Sequence, residues 1–266
     1  MRCGRPPHRV AASPRRRVSR VGLPRPDFVG TGYGARTDHG CIPSTCQHGR
    51  VGWNSFGAEA ETGERTVLVA RHGRTTANEE GVHQNWGPYQ LSSAGIADME
   101  VAKRWWNQWN VTRCISSPVP RAIETAHRLW GRVDELDAAW GERAVPAVEG
   151  LTLEEAHRRH PTVLEPDGWV SRDAPLNPFV ESDAALESRV RAALMRAANT
   201  VPEAHVAAVM THGAVLAAIL AMSAEVNSPG SPKTSVRCAN LAVLEVAVDP
   251  AKGWSVRRRH SPLTSG

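Results

Sequence analysis

Thr66-Val67-Leu68-Val69-Ala70-Arg71-His72-Gly73-Arg74-Thr75 is the stretch from which the fold can be read. Its opening run of β-branched and aliphatic residues has no polar alternation, which predicts a strand buried on both faces of a mostly parallel sheet. The Arg-His-Gly that follows then stands at the strand's carboxyl end, where open α/β sheets place their ligands. The chain repeats the pattern at Val206-Ala207-Ala208-Val209-Met210-Thr211-His212-Gly213. Two buried strands therefore each deliver a His-Gly pair to one edge of a sheet.

Working outward, Leu91-Ser92-Ser93-Ala94-Gly95 opens a helix with Ser92 or Ser93 as N-cap. That helix carries Ile96, Met99, Ala102, Trp105, Trp106 and Trp109. The one-turn spacing of Trp105 and Trp109 predicts a core face rather than a platform for stacking bases. Val111 to Ile115 is the next strand, broken by Ser116-Ser117-Pro118, with Pro118 in the first turn of a helix that reaches about Gly131. Thr75 to Gln90 reads as a polar loop and Val133 to Gly150 as irregular. Thr152 and Glu155 form a capping-box pair for a helix that Pro161 closes. Helices over Ser182–Asn199 and Ala214–Ala224 flank the second His-Gly strand. Two last strands, Leu241–Val248 and Trp254–Arg258, surround an Asp249-Pro250 turn. Alternating strands and helices predict an α/β sandwich with a largely parallel sheet.

The 266 residues suffice for a substantial core, and no apolar run approaches the ~18 residues of a membrane helix. The net charge of +5 suggests nucleic acid until it is located. Residues 1–64 hold ten arginines and five acids, leaving 22 basic and 22 acidic residues in the remainder. The charge therefore says nothing about the domain's own ligand, and a nucleic-acid partner, which charge alone supports, is not expected. Residues 1–64, rich in Arg, Gly, Pro and Ser and without periodicity, are expected to be a disordered basic extension, with the folded domain spanning 65–266. Five irregularly spaced cysteines (Cys3, Cys41, Cys46, Cys114, Cys238) suit a reducing cytoplasm. His39, Cys41, Cys46 and His48 are too loosely spaced for a structural zinc site.

Arg71, His72, Arg121 at a helix start, and His212 are brought to one sheet edge by this topology. Together they make a cationic pocket suited to a small, doubly charged anion such as phosphate. Gly73 and Gly213 let the backbone approach closely, and the helix after His212 aims N–H groups at the same place. A neutral imidazole there is also a nucleophile, with nearby cations to offset charge on a transferring phosphoryl group.

Arg71-His72-Gly73, Asn78, Leu91-Ser92-x-x-Gly95, Ser116-Ser117-Pro118-x-x-Arg121-Ala122-x-Glu124-Thr125 and His212-Gly213 resemble, in order, the motifs of the histidine phosphatase (phosphoglycerate mutase-like) superfamily. The resemblance covers roughly residues 65–250 and implies a three-layer α/β/α sandwich with a mostly parallel central sheet. It implies that His72 is phosphorylated during turnover, that Arg71, Arg121 and His212 hold the phosphate, and that Asn78, Thr75 and Gly213 assist. It implies no cofactor and no metal, a small-molecule phosphomonoester as the partner, and leaves the oligomeric state open.

The family also uses a carboxylic acid to protonate the leaving oxygen and then activate water. Glu149-Gly150-Leu151-Thr152-x-Glu154-Glu155 resembles the segment just after that acid, and counting back reaches Glu142. The glycine and aromatic expected between them are Pro146 and Val148 here. Glu149 is the alternative acid, with Glu135 and Glu154 behind it. Seventy positions separate Glu142 from His212, resembling the compact phosphatase branch rather than the mutases with their longer insertion. Phosphatase, mutase and non-catalytic phosphate-binding module all stay open at this point. The loops over 75–90 and 162–180, with Trp86, Tyr89, Trp169 and Phe179, are the candidates for the pocket mouth.

Overall fold

The computed structural model describes residues 63–168, 170, 180–227 and 236–264. The expected disordered extension therefore lies outside the described residues apart from Gly63 and Glu64, as do Cys41, Cys46, Trp169 and Phe179. In chain order the elements are β1 (Arg65–Arg71), α1 (Thr76–Glu79), α2 (Ser93–Trp106), β2 (Val111–Ser116), α3 (Pro120–Trp130), β3 (Glu135–Leu136), α4 (Leu153–Arg159), α5 (Asp183–Asn199), β4 (Val206–Thr211), α6 (Gly213–Asn227), β5 (Val243–Asp249) and β6 (Gly253–His260).

The strands form one sheet in the order β3-β2-β4-β1-β5-β6. β1 to β4 pair in parallel, and β5 and β6 add an antiparallel edge. Side chains of β1 alternate between the faces as the pleat requires. Val67 and Val69 join the apolar cluster under α5 and α6, whereas Leu68 and Ala70 join the cluster under α2 and α3. The sheet is thus covered on both sides, which is why its central strands carry no polar alternation. Each fully buried Val or Leu contributes about 1.5–3 kcal/mol to that arrangement. Arg71 and Thr211 are cross-strand partners, and the His72 N–H donates to the Thr211 carbonyl at 2.9 Å. That register sets the two His-Gly corners side by side.

Several element boundaries differ from the sequence reading, each for a tertiary reason. Pro118 does not start α3. The Ser117 N–H is tied to the Met210 carbonyl at 2.9 Å, so the chain follows β4 for one residue more. Val119 is the N-cap and Pro120 takes the first helical position, where its missing N–H costs nothing. Gly131 ends α3 with φ 73°, the left-handed conformation glycine adopts freely. α2 stops at Trp106, yet Trp109 still packs on Trp105 with ring centroids 5.5 Å apart, so these tryptophans are core. The loop after Gly73 contains the single turn of α1, capped by Thr75. Ser92 and Thr152 cap α2 and α4, the latter with Glu155 completing the box.

Candidate active site

At the end of β1, His72 is 2% exposed, and its ring nitrogens have distinct partners. Nδ1 lies 2.7 Å from the Gly73 carbonyl, which can only accept, so Nδ1 carries the proton. Nε2 is then a lone pair, and it accepts from Arg121 Nε at 3.1 Å. Burial, with the Arg121 and Arg71 charges behind it, pushes the His72 pKa well below 6.5. A neutral imidazole with an unprotonated Nε2 is the form a nucleophile needs.

His212 mirrors it from the end of β4, with ring centroids 5.3 Å apart. Arg121 Nη2 can only donate, so His212 Nδ1, 3.1 Å away, is the acceptor. Nε2–H therefore donates to Ser117 Oγ at 2.8 Å. Burial and the nearby Arg121 likewise hold the His212 pKa well below 6.5.

Arg121 is 1% exposed and is anchored by the Asn85 carbonyl as well as by both histidines. Burial lowers its pKa to about 10, partly opposed by Glu142. Arg71 is anchored by Nη1 on the Cys238 carbonyl and is likewise lowered by burial against the Glu142 charge. Two guanidinium atoms, Arg71 Nε and Arg121 Nη1, are buried without a hydrogen-bond partner among the described residues. Buried cationic donors left unpaired are costly, and an anion within reach of both would satisfy them.

The structure brings Glu142 to the same place. Its Oε1 accepts the N–H groups of Arg143 (2.9 Å) and Ala214 (3.3 Å), and Oε2 has no partner among the described residues. Glu149 also lines the cavity, but the Glu142 charge acts more strongly on Arg121 and is the one acting on Arg71. Glu135, on β3, is paired with Arg113 of β2 at 2.7 Å, and Glu154 is 89% exposed on α4. Neither lines the cavity. Asn78 does line it, with Oδ1 accepting from the Thr75 N–H at 3.2 Å. Thr75 stands one layer back: fully buried, its hydroxyl meets Asn78 and Gln84 rather than the cavity. The N-terminal amide of α6 at Ala214 is aimed at the Glu142 carboxyl, while Gly213 lies against Arg71.

Other groups hold this constellation in position. Thr125 Oγ1 accepts the Gly73 N–H at 3.0 Å and donates to the Arg121 carbonyl at 2.6 Å, joining the His72 corner to α3. Asn240 Nδ2 donates to the His72 carbonyl at 3.0 Å and lies 3.2 Å from Asn78 Oδ1. It sits just before Leu241, which holds φ 62° while its N–H donates to the Arg71 carbonyl. Trp86 covers Gly141 and donates from its indole to the Glu142 carbonyl at 3.0 Å. Ser117 and Thr125 belong to the motif around Arg121 and could be found from it; Asn240 has no local signal.

Arg71, His72, Asn78, Arg121 and Glu142 line a cavity of about 840 Å³, within the usual range for a small-molecule site, whereas the fully buried His212 is not among its lining residues. Among the described residues, no group of three or more His, Cys, Asp or Glu is placed to hold a metal ion. No described helix is long and apolar enough to cross a membrane.

Comparison with known proteins follows the same lines. The model of the histidine phosphatase superfamily (branch 1) matches residues 67–260. Among solved structures, Bacillus stearothermophilus YhfR is 22% identical, with 74% of this chain and 98% of that chain covered and a TM-score of 0.62. A mycobacterial glucosyl-3-phosphoglycerate phosphatase solved with VO3 is 20% identical over 72% of this chain and 96% of its own, at TM-score 0.60. A phosphoglycerate mutase from Bacillus anthracis is 16% identical over 74% and 93%, at TM-score 0.58. At these identities the likeness is one of fold.

Proposed function

Because the chain belongs to the histidine phosphatase superfamily, we propose that it hydrolyses a small phosphomonoester through a phosphohistidine on His72. One observation carries the reading: His72, its Nε2 unprotonated, lines a cavity together with Arg71 and Arg121, each of which has a buried guanidinium N–H without a partner among the described residues.

The phosphate seats between Arg71 and Arg121, whose Nε transfers from the His72 lone pair to a phosphoryl oxygen. The lone pair attacks phosphorus, forming the P–N bond while the P–O bond to the leaving group breaks. Glu142, through Oε2, gives its proton to the departing oxygen. The resulting carboxylate then takes a proton from water, whose oxygen bonds to phosphorus as the P–N electron pair returns to Nε2. The two arginines offset charge on the transferring group throughout, and His212 holds Arg121 in place through its Nδ1 acceptor. The Ala214 and Arg143 N–H groups hold the Glu142 carboxyl in place for both proton transfers.

The test is release of phosphate from p-nitrophenyl phosphate and a panel of metabolite phosphomonoesters, with EDTA present. Metal-independent release that disappears in His72→Ala is expected. Phosphate binding without release from any ester would make the protein a binding module. Transfer between positions of phosphoglycerate, rather than to water, would make it a mutase.

A further inference from the structure

Two consecutive residues of the loop after α1 reach both halves of the candidate site. The Asn85 carbonyl accepts from Arg121 Nη2 at 2.8 Å. The Trp86 indole Nε1–H donates to the Glu142 carbonyl at 3.0 Å. Trp86 is 45% exposed, so its ring is not there to fill the core. It lies over Gly141, where a Cβ would collide with the ring edge at Cζ2 and Cη2. Gly141 has φ −62° and ψ 157°, a conformation open to any residue. The glycine therefore serves the close approach of the indole rather than a turn of the backbone.

The segment that carries Glu142 is also held from the opposite direction. Thr211 Oγ1 donates to the Trp140 carbonyl, and the Ala214 N–H donates to Glu142 Oε1. Both groups belong to the corner around His212. The acid's segment is thus strapped between that corner and Trp86. A displacement of about 1 Å in a reacting group is enough to slow a step many-fold.

We propose that Trp86 is a positioning residue for Glu142, its indole fixing the backbone at 142 so that Oε2 meets the leaving oxygen. The proposal rests on the phosphatase reading for its chemistry and on the packing of Trp86 against Gly141 and Glu142 for its geometry. It separates leaving groups. Phenol departs well only if Oε2–H protonates its oxygen as the P–O bond breaks, whereas 2,4-dinitrophenolate departs without a proton. Only the first reaction should feel a displaced acid.

kcat/KM is compared for phenyl phosphate and 2,4-dinitrophenyl phosphate, because this ratio reports phosphoryl transfer to His72 and omits later hydrolysis of the phosphohistidine. In Trp86→Ala it should fall about ten-fold or more for the phenyl ester and less than about three-fold for the dinitrophenyl ester. Trp86→Phe, which keeps a ring over Gly141 but lacks the N–H, should show a smaller loss of the same kind. Gly141→Ala, which keeps the indole but pushes it aside, should match Trp86→Ala. Should Trp86→Ala not fold, the other two variants decide. Equal losses on both esters, or none on either, would overturn the proposal and leave the phosphatase reading standing. Wild-type turnover of the dinitrophenyl ester alone would also overturn it, since no acid would then be acting. A wild-type protein that hydrolyses neither ester would sink the phosphatase reading and this proposal with it.

Discussion

The carboxyl of Glu142 rests on the first turn of α6, its Oε1 accepting the Ala214 N–H at 3.3 Å across 72 residues of chain. An amide at position 142 keeps an oxygen for that contact but has no proton to transfer. Glu142→Gln should therefore lower kcat by roughly two or more orders of magnitude, the scale of general acid catalysis, with little change in melting temperature. Glu149→Gln should change kcat only a few-fold. The reverse pattern would move the acid to Glu149.

Ser117 Oγ is the acceptor for the proton that Arg121 leaves on His212 Nε2, at 2.8 Å. Ser117→Ala leaves a buried N–H without an acceptor, at a cost of about 1–3 kcal/mol. The melting temperature should fall and kcat with it, because the ring that holds Arg121 loses one of its two anchors. An unchanged melting curve would show that the hydroxyl is dispensable.

The two buried histidines make stability depend on pH in a definite direction. Burial and the neighbouring arginines hold both pKa values well below 6.5 in the folded protein. As pH falls below 6.5, the unfolded chain takes up protons that the native state refuses, so stability is lost. The slope is at most about 1.4 kcal/mol per pH unit for each histidine. Urea melts at pH 7.5, 6.5 and 5.5 should show this decline, and His72→Ala should flatten it. Because Nε2 stays unprotonated over the same range, hydrolysis should not drop through histidine protonation near pH 6.5.

Asn240 holds the His72 backbone, through its Nδ2 on the His72 carbonyl. Asn240→Asp turns the amide donor into a carboxylate facing the His72 and Gly73 carbonyls and Asn78 Oδ1. We expect kcat to fall ten-fold or more, with KM much less affected. An equal rise in KM at constant kcat would point to substrate binding instead.

Gly95 allows the start of α2 to lie on the loop behind His72. A Cβ there would fall on the Arg74 carbonyl oxygen, which already accepts the Ser92 N–H at 2.9 Å. Gly95→Ala should cost about 1–3 kcal/mol by overpacking, read as a lowered melting temperature. A stable, fully active Gly95→Ala protein would mean that α2 can shift freely.

The sheet and both histidines are legible in the sequence because buried parallel strands declare themselves by uninterrupted apolar runs, and because a glycine follows each histidine. Arg121 is legible from its place after the Ser-Ser-Pro corner. The true start of α3 is not, since Pro118 and Pro120 are both acceptable helix openers and the choice is made by the bond from Ser117 to Met210. Glu142 is legible only by spacing from a downstream motif; nothing local separates it from Glu149, and the amide that singles it out lies on α6. Thr75 illustrates the reverse: a motif position whose hydroxyl is spent on capping α1. The outer wall of the cavity is assembled from separate stretches and has no signature in any one of them.

His72 and Asn240 lie 168 residues apart in the chain. The nucleophile's carbonyl is clamped only once the residues entering β5 have docked beside β1. Contacts of such long sequence separation form slowly, after the entropy of closing the intervening loop has been overcome. On the proposed mechanism, catalytic competence is therefore a late event in the life of each newly made chain. A ribosome-bound or truncated protein ending before residue 240 has its histidines and arginines but not the clamp that holds the nucleophile, so recovered activity times the final docking of the sheet.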